Sequence, residues 1–148
     1  MRNAHHSLRR RWLPLGAALA LSMFTGLAYP GASAAAEMKV TLTGDQEVPP
    51  VKSAGSASGT ITINDDMSVS GSVKTTGIVG TMAHIHEAAA GKNGPVIVKL
   101  QKDGDTWSVP AGTKLTAAQF ASFKAGDLYV NVHTAENAKG ELRAQLKP

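Results

Sequence analysis

The stretch Leu128-Tyr129-Val130-Asn131-Val132-His133 decides how the chain folds. In an extended chain successive side chains point to opposite faces, so Leu128, Val130 and Val132 share an apolar face while Tyr129, Asn131 and His133 share the other. The β-branched valines favour a strand over a helix at this spacing. Working outward, short runs of the same kind recur at 39–42, 60–63, 68–73, 81–86, 96–100 and 141–146, separated by Gly, Asn and Asp. Seven such runs predict an all-β fold, an antiparallel β-sandwich or Greek-key barrel.

Local signals fill in the connections. Asn64-Asp65-Asp66 reads as a tight turn rather than a calcium loop, because the spaced oxygen ligands of such a loop are missing, and Asp103-Gly104-Asp105 marks a second turn. One short helix is predicted over 116–124: Thr116 caps its first turn, Gln119 completes a capping box, and Gly126 stops it. Gly55-Ser56-Ala57-Ser58-Gly59 reads as a bulged strand rather than a linker. The prolines in Glu47-Val48-Pro49-Pro50-Val51 cannot donate to a ladder, so that segment reads as an edge strand or a polyproline II stretch.

Charge is distributed unevenly over the 148 residues. Arg2, Arg9, Arg10 and Arg11 precede residue 37, whereas all 11 acids lie at or after Glu37. The excess positive charge thus belongs to the N-terminus; the remainder is formally neutral, which removes the main argument for nucleic-acid binding. A basic start ending at Arg11, an apolar run over 12–29 and small residues at Ala32-Ser33-Ala34 or Ala34-Ala35-Ala36 form the pattern of an export signal over 1–36. Arg9-Arg10-Arg11-Trp12-Leu13 also fits a twin-arginine core. Pro14, Gly16 and Gly26 interrupt the apolar run, which argues against a spanning helix of ~20 apolar residues. The expectation is a periplasmic or secreted domain over 37–148. With no Cys, that domain has neither disulfides nor thiolate ligands and relies on its core.

Chemistry in this chain is concentrated in histidine. Outside the first 36 residues the histidines are His84, His86 and His133. In His84-Ile85-His86 the two imidazoles share a strand face, with Ala83 and Ile85 facing the core, and His133 lies on the polar face of its own strand. If the two strands are neighbours, all three rings converge as a three-imidazole metal site. Imidazole suits copper, zinc, nickel and iron; Met82, on the His84 face, turns the choice toward copper if it approaches, while Glu87 and Glu141 are candidates to orient a ring as second acceptors. The competing reading treats the His-x-His pair as exposed polar residues that satisfy alternation.

Several spaced motifs, in order, carry a family likeness: Leu42-Thr43-Gly44 before Glu47-Val48-Pro49-Pro50-Val51, Ala83-His84-Ile85-His86, Asn93-Gly94-Pro95, Tyr129-Val130-Asn131-Val132-His133-Thr134, and Gly140-Glu141-Leu142-Arg143. Over roughly residues 40–147 the chain resembles the CHRD domain, the module named after chordin and present in many exported bacterial proteins. Glu87 and Ala144 stand where that pattern commonly has glycine, which bears on loop geometry more than on ligands. The resemblance implies a β-sandwich, an extracytoplasmic location and interaction with other proteins. The His-x-His strand also looks like the copper strand of copper-zinc superoxide dismutases, down to the acid Glu87, so the sandwich is expected to be superoxide-dismutase-like or immunoglobulin-like. Three histidines cannot supply that enzyme's full copper and bridged zinc sites, which argues against a dismutase proper.

Arg143, the only arginine after residue 36, is expected to pair with Asp127, Glu87 or Glu136. No serine nucleophile, phosphate loop or paired-carboxylate signature stands out. Three functions fit: an exported domain holding one copper ion for sequestration or delivery, a noncatalytic interaction or adhesion module that meets another extracytoplasmic protein, and a small mononuclear copper redox enzyme. The pattern favours binding over catalysis.

Overall fold

The computed structural model describes residues 35–148; the export signal expected over 1–36 lies outside the described residues, except for its last two positions. Nine strands and one helix occur in order: β1 (Ala35–Leu42), β2 (Ser56–Asn64), β3 (Val69–Thr76), β4 (Met82–Glu87), β5 (Val96–Lys99), β6 (Gln101–Asp103), β7 (Thr106–Ser108), α1 (Ala117–Lys124), β8 (Leu128–His133) and β9 (Leu142–Leu146). They form two antiparallel sheets, ordered β1-β2-β3-β7-β6 and β5-β4-β8-β9. The architecture is a sandwich, and neither sheet closes into a barrel. At one corner the sheets meet through a single bridge, in which Thr43 and Arg143 exchange backbone hydrogen bonds of 3.1 Å.

Alternation builds the core. Met38, Val40, Leu42, Ile61, Ile63 and Val73 of the first sheet are buried with Ala83, Ile85, Leu128, Val130, Val132, Leu142 and Leu146 of the second. Trp107 of β7 joins them. Helix α1 obeys its sequence signals: Gln119 N–H donates to Thr116 Oγ1 (3.2 Å), Thr116 N–H donates to Gln119 Oε1 (2.9 Å), and Gly126 takes a left-handed φ of 79° two residues beyond the helix.

Four connections differ from expectation. The run 96–100 is not one strand: the chain leaves the second sheet after Lys99, Leu100 N–H donates to Ala83 O (3.0 Å), and β6 begins in the first sheet. Of the β6–β7 hairpin the sequence signals only the turn around Gly104, because three-residue strands are too short to display a period. Segment 55–59 runs into β2 with unbroken register against β3 rather than bulging; the sheet irregularity falls instead between Ile85 and His86, where β4 pairs with β5. The double proline is in no strand: Val51 N–H donates back to Gly44 O (2.8 Å), and the segment crosses the outer side of the second sheet as a loop.

That crossing matters, because all six residues of β8 are buried, the polar face included. The outer face of the second sheet is roofed by the loops 43–55, 88–95 and 134–141, and Asn93 Nδ2 knits the first two together through a 2.7 Å bond to Val48 O. Ile85, fully buried between the two histidines of β4, anchors this sheet to the core. Ile85→Ala is expected to lower the unfolding free energy by about 2–5 kcal/mol, read from urea denaturation of the metal-free protein.

Candidate metal centre

Register brings the polar residues of β4 and β8 together. Met82 faces His133, His84 faces Asn131, and His86 faces Tyr129 across the ladder. His84, His86 and His133 each offer a ring nitrogen, and these atoms lie within 4.8 Å of one another. The closest pair, His84 Nδ1 and His133 Nε2, is 3.0 Å apart. Two nitrogens bound tetrahedrally at ~2.0 to 2.1 Å from one zinc-sized ion would be ~3.3 Å apart, so the cluster needs little rearrangement to share a cation.

Backbone carbonyls set the tautomers. His86 Nδ1 lies 2.9 Å from Gly94 O and His133 Nδ1 lies 3.0 Å from Ala138 O. A carbonyl only accepts, so both Nδ1 atoms carry the proton and both neutral rings keep a lone pair on Nε2, the form that ligates a metal. His84 Nδ1–H then donates to His133 Nε2; a cation would take that proton's place, leaving His84 protonated at Nε2. His86 Nε2 also lies 3.1 Å from Asn131 Oδ1. The His86 ring stacks on Tyr129, centroids 4.7 Å apart and 4° from parallel, and the Arg143 guanidinium lies 3.4 Å from the Tyr129 centroid.

The roof gives these rings a dry setting. His86 is 8% and His133 6% exposed, with His84 half-buried. Burial holds all three below the ordinary histidine range. For His84 it acts with the charges of His133, His86 and Lys99 to bring the pKa to about 4. For His86 and His133 the bonds to Gly94 and Ala138 oppose the shift without cancelling it. The rings are therefore neutral at neutral pH, and His84 stays so well into the mildly acidic range, where free imidazole, with pKa ~6.5, would already be protonated.

The other expected site residues fall elsewhere. Met82 stands at the cluster's edge and is 47% exposed. Glu87 accepts from Ser122 Oγ (2.6 Å) and thus fastens β4 to α1; Glu141 accepts from Ser53 (2.6 Å), Thr134 and Asn137 (3.1 Å) and thus fastens the loop after β8. The observed ring orienters are carbonyls of Gly94 and Ala138, which any residue type supplies and no motif reveals. Arg143, 1% exposed, pairs with none of Asp127, Glu87 or Glu136; besides Tyr129 it donates to Asn93 Oδ1 (3.3 Å), Ala89 O (3.5 Å) and Gln145 Oε1 (3.1 Å).

Glu47, which the sequence presents only as the start of the proline segment, is 4% exposed with no hydrogen-bond partner on Oε1. Burial raises its pKa, against the Arg143 charge and hydrogen bonds from Val48 N–H and the Asn131 side chain. It sits over Gly140, whose φ of 133° and lack of a side chain both matter, because a Cβ there would collide with the carboxylate. The signal that could have found it is the charge itself, placed beside valine and two prolines.

A β-sandwich with a buried three-histidine cluster is the class that this geometry defines. The CHRD domain profile matches residues 38–146, and the chain belongs to that family. No curated protein and no solved structure shows significant similarity to it.

The depressed histidine pKa values set a pH dependence for the metal-free fold. Between the folded values and ~6.5 the unfolded chain binds more protons than the native one, so stability is undiminished above ~pH 6.5 and falls as pH drops through the window toward the folded values. Denaturant midpoints from pH 7 to about pH 4.5 should decline in the wild type, and less steeply in a variant with His84, His86 and His133 all changed to Gln.

Proposed function

We propose that this CHRD domain binds a single metal ion through His84, His86 and His133, that the ion is copper, and that the protein sequesters or delivers it outside the cytoplasm. One observation carries the reading: three imidazoles, the neutral lone pairs of two fixed by carbonyls, converge within 4.8 Å under a common roof. Exposed polar histidines that merely satisfy alternation have no need of shared burial. Copper is favoured by the imidazole set and by Met82, whose thioether-bearing residue stands across from His133. A bound ion of this kind supplies a Lewis-acidic and, for copper, redox-capable centre. The chain's part is to hold the ligands neutral, oriented and shielded. Export is supported by the basic, apolar and small-residue order of the first 36 residues and by the formal neutrality of residues 37–148. Among the described residues no helix is long and apolar enough to cross a membrane.

The test is metal analysis and copper titration of untagged protein, with thermal unfolding as the second readout. An ion at a hundredfold excess over its Kd stabilises the native state by ~2.7 kcal/mol, so copper should raise the midpoint at pH 7. Because burial lowers the pKa of all three ligands, the gain should extend below the range of free imidazole and shrink toward about pH 4 as His84 protonates. Each single His→Ala change should weaken binding. No copper-dependent shift, or the same shift in the triple alanine variant, would leave an interaction module as the better account.

A further inference from the structure

The orientation of His86 creates a conflict that three histidines do not resolve. Its Nδ1–H is committed to Gly94 O at 2.9 Å, so the neutral ring presents a lone pair at Nε2. Facing that lone pair at 3.1 Å is Asn131 Oδ1, also an acceptor, on a residue only 2% exposed. The Asn131 side chain also interacts with the Glu47 carboxylate, itself buried, which favours the NH₂ on that side. Turning the amide over would set Oδ1 against that carboxylate and only move the conflict. A cation between the two lone pairs relieves it fully, with both atoms as ligands.

Position agrees. Asn131 is directly opposite His84 in the ladder and two residues before His133 on the same strand face, so it stands amid the three imidazoles. We propose that Asn131 Oδ1 is a fourth protein ligand, making the centre a three-nitrogen, one-oxygen site. The proposal rests on the three-histidine reading and deepens it. An amide oxygen is a hard donor, so the set favours Cu²⁺ or Zn²⁺ over Cu⁺.

The full chain labelled with ¹³C and ¹⁵N, titrated with Zn²⁺, gives a readout that needs no variant: the Asn131 side-chain carbonyl carbon should shift downfield as the site fills. Asn131→Leu should weaken Cu²⁺ at least tenfold while changing Cu⁺ affinity less than threefold, and Asn131→Asp, which retains an oxygen donor and adds charge, should bind Cu²⁺ at least as tightly as wild type. An unmoved carbonyl resonance at zinc saturation overturns the proposal, and so does an equal loss of Cu²⁺ and Cu⁺ in both variants, which would make Asn131 a hydrogen-bond partner that only orients His86. Absence of histidine-dependent metal binding in the wild type would instead remove the parent reading. Histidine-dependent binding with an unmoved Asn131 signal would remove only the fourth ligand.

Discussion

Strand β8 is buried on both sides, and most of the molecule's distinctive features derive from that constraint. One face is apolar and meets the core; the other carries Tyr129, Asn131 and His133 and is roofed by loops. A buried polar group without a partner costs about 1–3 kcal/mol, so the roof has to answer each polar atom it covers. It does so largely with main-chain oxygens: Gly94 for His86, Ala138 for His133 and Ala88 for Gln145. The atoms left in tension, Asn131 Oδ1 against His86 Nε2 and the unpartnered Oε1 of Glu47, gather at the same place.

Charge within this layer is handled without close ion pairs. Among the described residues the one salt bridge is an exposed contact between Lys114 and Asp66, at 3.1 Å, remote in kind from the buried layer. Arg143 is stabilised by the face of Tyr129 and by neutral oxygens, and its charge reaches Glu47 at longer range. Aromatic faces and amide oxygens hold a guanidinium without consuming carboxylates, which fits a layer where Glu87 and Glu141 are already engaged in fastening elements to one another.

Much of this was legible in the sequence. Alternation in 128–133 assigned the core face of β8 correctly, and the His-x-His spacing placed His84 and His86 together on β4 because the period of a strand is geometric. Capping residues fixed α1 for the same local reason. What alternation cannot disclose is whether a polar face meets water or a loop. His86, Asn131 and His133 read as outward, and they are outward, yet they are buried. Nor could spacing assign partners to Arg143 or Glu47, whose neighbours are set by where 43–55 and 88–95 cross the sheet. Three-residue strands such as β6 and β7 carry too little pattern to be read at all.

The order in which the cluster can assemble has a kinetic consequence. The bonds that orient His86 and His133 span eight and five residues, so they belong to local loops that close quickly. The contact between His84 and His133 spans 49 residues and requires β4 and β8 to pair. Until that non-local pairing is made, β4 brings only two imidazoles of the cluster together, and loop-closure entropy opposes recruitment of the third. Chelation by all three rings would thereby be confined to the native topology: an ion held by the finished sandwich would slow its opening, whereas one met by β4 alone would be readily released.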